Sequence, residues 1–219
     1  MAGRANEPAE GEPEPFGNIR LLRNHWSRPI GPRAYYWYLT FATAPGLHAL
    51  TAECQRPIAF PYYDLIPPSG LHLTLDRIGF EGAITPAQLN AIEAAARHAC
   101  QKISPFTITV GTLGGTRGAI GLNVLSAQPV RELRDALRAA TLSACPAAPV
   151  TPHEAAPHVT IAYANTDDVP AADAIAAVGK LNASTVRAAV TVGEAALVLL
   201  ERRERSYAWQ AISRVPLTG

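Results

Sequence analysis

Apolar and polar residues alternate over short stretches of this chain, and proline- and glycine-rich breaks separate these from longer stretches at helical spacing. Residues 34–42 predict the first strand, with Tyr35, Trp37, Leu39 and Phe41 on one face and Tyr36, Tyr38 and Thr40 on the other. The first set reads as core and the second as a wall with polar tips. Further strands are predicted at 62–66, 71–79, 106–112, 120–124, 157–163, 186–192, 195–201 and 207–215, with turns at Gly114-Gly115 and at the charged stretch 202–205. Helical spacing predicts one short helix after Pro45 and longer ones at 85–101, 128–143 and 170–181. The second of these has Thr85 as its N-cap and Pro86 at its first position. Residues 1–17, rich in Glu, Pro, Ala and Gly, predict a disordered tail. Residues 18–32 predict an irregular surface segment, and 18–219 a single domain.

Two of the predicted strands carry one pattern. Leu71-His72-Leu73-Thr74-Leu75 returns as Pro157-His158-Val159-Thr160-Ile161. Because strand side chains alternate, His72 and Thr74 share a face, as do His158 and Thr160, while the apolar residues between them face the core. Six histidines would produce roughly 0.4 such His-x-Thr matches by accident, so one copy carries little weight and two in matching strands carry much more. A strand, a helix, the histidine strand and another helix recur around each copy, a layout that predicts two related lobes.

Composition narrows the partners. A net charge of +1 over 219 residues gives no broad electrostatic field for long nucleic acid, and leaves small substrates or short RNA ends. Cys54, Cys100 and Cys145 are widely spaced and form no Cys-x-x-Cys pair, which predicts reduced thiols in a cytoplasmic protein. No apolar run reaches the length of a membrane span. No ligand-spaced cluster suggests a metal, and no phosphate loop or nucleophile elbow is present.

The duplicated His-x-Thr-hydrophobic motif resembles that of the 2H phosphoesterase superfamily, and within it the "2'-5' RNA ligase family", whose better understood members are RNA 2',3'-cyclic phosphodiesterases. The resemblance spans residues 34–215 and rests on His72, Thr74 and Gly79 and on Pro157, His158, Thr160 and Tyr163. Asn24-His25-Trp26 and the stretch 36–41 are similar to actinobacterial-type members. The resemblance implies an α+β bilobal fold: two pseudo-symmetric lobes, antiparallel-rich sheets facing a central cleft, and helices outside. It also implies that His72 and His158 are the acid and base, in either order, and that Thr74 and Thr160 hold the phosphate. Asp76-Arg77 departs from the family pattern, which puts a lysine-like residue and then an aromatic there, so the substrate need not follow the family.

Two histidines on opposite sides of a phosphorus supply both a base for water and an acid for the leaving ribose oxygen near neutral pH. Neither a metal nor another cofactor is needed for that chemistry. Alternation adds Tyr36, Tyr38 and Arg187 as possible substrate-binding residues, read equally well as sheet residues. It places Arg77 on the face opposite His72 unless a bulge re-aims it, and Tyr163 opposite Thr160 in the same way. His25, His48, His98 and His153 lack a partner pattern. The expected activity is metal-independent opening of 2',3'-cyclic phosphate ends of RNA or nucleotides, with 2'-5' ligation as the reverse reaction and no obligate protein partner. The alternatives are a non-catalytic nucleotide- or RNA-end-binding module using the same cleft, and an interaction protein in which both motifs are structural.

Overall fold

The computed structural model of the protein describes residues 15–150, 156–184 and 186–219. In chain order its elements are β1 (Ala34–Thr40), α1 (Pro45–Gln55), β2 (Tyr63–Leu65), β3 (His72–Phe80), α2 (Pro86–Cys100), β4 (Phe106–Thr116), β5 (Ala119–Val124), α3 (Ala127–Ala144), β6 (His158–Ala164), α4 (Ala172–Asn182), β7 (Arg187–Val192), β8 (Glu194–Arg202) and β9 (Tyr207–Pro216). The strands form two sheets, ordered β3-β1-β8-β9 and β2-β6-β5-β4-β7. Every pairing is antiparallel. Helices α1 and α4 pack on the second sheet, α2 on β9, and α3 on β3 and β4. The fold is therefore α+β, with two sheets and helices outside, as the resemblance implies.

Local chemistry accounts for the elements. Thr85 and Gln88 close a reciprocal cap at the start of α2: the Gln88 N–H donates to the Thr85 hydroxyl at 3.3 Å, and the Thr85 N–H donates to Gln88 Oε1 at 2.9 Å. Leu73, Leu75 and Ile78 of β3 and Val159 and Ile161 of β6 are buried against the helices. Their removal from water is the main force fixing the register of both strands.

The likeness of the two halves differs from the sequence expectation in one respect. The order β3-β1-β8-β9 mirrors β6-β5-β4-β7, and β1-α1-β3-α2 mirrors β5-α3-β6-α4. The lobes are nevertheless not contiguous in sequence. β2 leaves the first half to edge the second sheet, and β8 and β9 return from the second half to complete the first.

Other local expectations shift as well. Gly114 and Gly115 do not form the hairpin turn; they continue β4, paired to Gly121 and Ile120, and the chain reverses after Thr116. Tyr35, expected in the core, is half-buried, whereas Tyr38, expected as an open wall, is 2% exposed. Of the predicted disordered tail, residues 1–14 lie outside the described residues, but Phe16 is buried in the main core. Residues 18–32 are irregular as expected yet not wholly superficial, since Ile19 and Leu22 are buried. The Leu22 N–H donates to the Val169 carbonyl and the His25 N–H to the Ala164 carbonyl, so this segment is pinned along the end of β6. His153 lies outside the described residues.

Candidate active site

Register decides which side chains enter the cleft, because directly paired residues of an antiparallel sheet point to the same face. On the first sheet Thr40 pairs with His72 and Tyr38 with Thr74, but Trp37 then pairs with Asp76, leaving Leu75 as an extra residue. This bulge reverses the alternation beyond it. Asp76 turns into the core, 4% exposed, and Arg77 turns onto the face of His72 and Thr74, paired with Tyr36. On the second sheet Asn123 pairs with His158 and Gly121 with Thr160, after which Ile120 pairs with Ala162 and leaves Ile161 as the extra residue. Tyr163 is thereby re-aimed onto the face of Thr160. The two bulges occupy the same motif position, and each brings the fifth residue beyond its histidine onto the cleft face. Simple alternation places Arg77 and Tyr163 on the opposite face; the bulges correct both assignments.

Each histidine is held the same way. His72 Nδ1 lies 2.9 Å from the Gly70 carbonyl oxygen and His158 Nδ1 lies 3.0 Å from that of Ala156. A carbonyl only accepts, so Nδ1 carries the proton in both rings and Nε2 is the nitrogen left to act. Their surroundings differ. The His72 ring stacks on Tyr38 at 4.4 Å between centroids and meets Trp209 edge-on at 4.9 Å, whereas His158 is exposed. Burial lowers the His72 pKa below its ordinary 6.5 and the neighbouring His158 lowers it further, while the Gly70 carbonyl works the other way.

The remaining sequence candidates are placed unequally. Tyr38 faces Thr74 across the strands, but its ring face is taken by His72 and burial holds its hydroxyl protonated. It is a support for the histidine rather than a free stacking surface. Tyr36 is half-buried, which raises its pKa, and the Arg77 guanidinium works the other way. Arg187 lies on the cleft face in the same row as His158, through Gly111 and Asn123, but three strand spacings away, about 14 Å. A Cβ at Gly111 would fall 2.9 Å from Arg187 Cγ, so the glycine lets the arginine lie over β4. His48 is tied to the Phe41 carbonyl and His98 is exposed on α2; neither joins the site. Cys54, Cys100 and Cys145 are buried and free.

Sequence reasoning missed an aromatic group that borders His72. His25 stacks on Tyr163 at 4.0 Å, and Trp26 and Tyr207 pack edge-on or tilted around both. Asp64 of β2 anchors it by accepting from Trp26 Nε1 at 2.9 Å, Arg205 Nε at 3.0 Å and Asn165 Nδ2 at 3.1 Å, with a second bond from the Arg205 guanidinium. The signal was the aromatic content of 25–26 and 207–209, which alternation alone could not connect across 180 residues. Among the described residues, no group of three or more His, Cys, Asp or Glu is placed to hold a metal ion, and no helix is long and apolar enough to cross a membrane.

The two matching sheets thus each present one histidine–threonine pair, His72 with Thr74 and His158 with Thr160, on strands that lie beside each other. Residues 42–204 match the 2'-5' RNA ligase superfamily, and the chain belongs to that family. Solved structures share the fold. TT0787 of Thermus thermophilus superposes with a TM-score of 0.66 at 19% identity, over 85% of this chain and 98% of that one. E. coli LigT, complexed with NADP+, gives 0.61 at 17% identity over 86% and 100%. Among curated proteins, none matches this chain in sequence.

Proposed function

We propose that the cleft opens 2',3'-cyclic phosphate ends of RNA or of nucleotides without a metal ion, with His72 and His158 as proton carriers and Thr74 and Thr160 as phosphate ligands. The observation that carries this reading is the shared geometry of the motifs: two Nε2 atoms released by identical Nδ1–carbonyl tethers, on strands that approach each other across one concave face. E. coli LigT, alike in fold, has been solved in complex with 3'-AMP and with phosphate, which supports a ligand of this class here.

In the hydrolytic direction a water oxygen attacks phosphorus as its proton passes to one histidine. The bond from phosphorus to one ribose oxygen breaks, and that oxygen takes a proton from the other histidine. The product is a 2'- or 3'-phosphate monoester. The environment disfavours charge on His72, so His72 is assigned as the base and His158 as the acid. The Thr74 and Thr160 hydroxyls donate to the non-bridging oxygens as charge gathers on them. Arg77, re-aimed onto this face, extends the positive edge of the phosphate site beyond Thr74. Run backwards with an RNA hydroxyl, the same steps give 2'-5' ligation, which water outcompetes in dilute solution.

Purified protein with EDTA should open adenosine 2',3'-cyclic phosphate, and His72→Ala and His158→Ala should each lower kcat by about 100-fold or more. Full activity in either variant, or loss of activity with EDTA, would sink the assignment. Calorimetric heat of binding with no product formed would identify the cleft as a binding module instead.

A further inference from the structure

We infer that the aromatic group beside His72 is a subsite for the nucleobase attached to the reacting ribose, a reading that rests on the function proposed above and names its substrate more closely. A cavity of about 330 Å³ opens from His72, close to the small end of ligand pockets and suited to one nucleoside. Its lining includes four aromatic side chains, Trp26, Tyr163, Tyr207 and Trp209, together with the apolar residues Leu65 and Pro67.

The polar groups argue for a neutral π-system carrying an anion, not for a cation. Asp64 borders the cavity, but its two oxygens already accept four hydrogen bonds, from Trp26, Asn165 and twice from Arg205. A carboxylate has about four lone-pair directions, so none is left for a ligand. Asp64 is thus a positioning residue that fixes the Trp26 ring. The Arg202 guanidinium lies 5.8 Å from that ring's centre, and Arg205 lines the cavity. Arg205 is neutralised by Asp64, so Arg202 is the positive group that disfavours a cationic guest and suits a base with a phosphate one ribose away. Stacking is tolerant of base identity but grows with ring area, which favours purines.

Trp26, Tyr207 and Trp209 all fall outside residues 42–204, the part that matches the family. Trp26 comes from the segment pinned along the end of β6, and Tyr207 and Trp209 come from β9 of the first sheet, so the subsite forms where the two sheets meet.

The test compares adenosine 2',3'-cyclic phosphate, its uridine counterpart and 1-O-methylribose 2,3-cyclic phosphate, which has no base. The base-free compound should show a kcat/KM roughly 5- to 150-fold below that of adenosine, with uridine between. Trp26→Leu or Tyr207→Ala should raise KM for adenosine and bring the adenosine to base-free ratio towards one. Equal turnover of base-free and adenosine compounds by the unaltered protein overturns the subsite and leaves the proposed function standing. If no cyclic phosphate is opened, the catalytic reading fails, and calorimetry on the unaltered protein decides the subsite separately. Adenosine 3'-phosphate should then bind at least about 5-fold more tightly than ribose 3-phosphate, and equal affinity refutes it.

Discussion

The His72 strand and the His158 strand share a motif, a bulge after the threonine and a tether from Nδ1 to a carbonyl two residues back, yet their floors are opposites. Beside Thr74 and Arg77 the first sheet sets Tyr38 and Tyr36; beside Thr160 and Tyr163 the second sets Gly121 and Ala119. The Tyr38 ring stacks on His72, and Trp209 meets it edge-on, so its imidazole is buried. Glycine and alanine leave the space beside His158 open, and His158 is exposed. The motif therefore sets where the two imidazoles point, while the neighbouring strand sets how deeply each is buried.

The bulges are also secured unequally, and this gives the largest expected effect. Asp76, turned inward by the first bulge, accepts from Arg138 Nε of α3 at 2.7 Å. Its carboxylate is 4% exposed. Arg138→Met should leave that charge buried without its partner and cost about 3 kcal/mol of stability, read as a lowered denaturant midpoint. The second bulge puts Ala162, which carries no charge, in the matching place. An unchanged midpoint for Arg138→Met would show that the ion pair does not hold the first bulge.

A smaller effect tests the floors directly. If Tyr38 keeps His72 neutral by excluding water, Tyr38→Ala should move the His72 pKa up towards 6.5. The acid limb of kcat/KM, which falls as the base gains a proton, should then begin at higher pH than in the unaltered protein. Titration of the His72 ring by NMR checks the same shift without turnover. A limb that stays in place in a folded variant would separate the low proton affinity of His72 from Tyr38.

Much of this arrangement was legible in the sequence. The strands, the helices and the face shared by His72 with Thr74 and by His158 with Thr160 all follow from period-two and helical patterning, because burial of Leu73, Leu75, Val159 and Ile161 fixes those registers. Arg77 and Tyr163 were not legible from strict alternation, since one inserted residue in a ladder reverses every later side chain and shows in the apolar pattern only as the step of three from Leu75 to Ile78 and the adjacent Ile161 and Ala162. The aromatic subsite was hidden for another reason. Its residues come from segments 25–26, 163 and 207–209, joined only by β8 and β9 crossing back to the first sheet and by residues 18–25 running along β6. Tyr38 misled because alternation gives a face but not what covers it.

His25 supplies the finest test, in stability rather than turnover. It stacks on Tyr163, and its Nε2 lies 2.8 Å from the Tyr207 hydroxyl. Burial, with the charges of Arg202 and Arg28, lowers its pKa from 6.5 to about 4. Between those values the unfolded chain binds a proton that the folded chain refuses, so stability falls as pH drops from 6.5 towards 4, and His25 contributes no slope above 6.5. His72, lowered for a similar reason, adds to the slope with the same sign. His25→Phe keeps an aromatic ring against Tyr163 but loses the Tyr207 contact, at a cost of about 1 kcal/mol at every pH. The fall in denaturant midpoint between pH 7 and pH 5 should therefore be smaller in the variant, and combining it with His72→Ala should flatten it further. An undiminished fall in the double variant would mean that other groups control acid stability, and that the aromatic wall tolerates a charged His25.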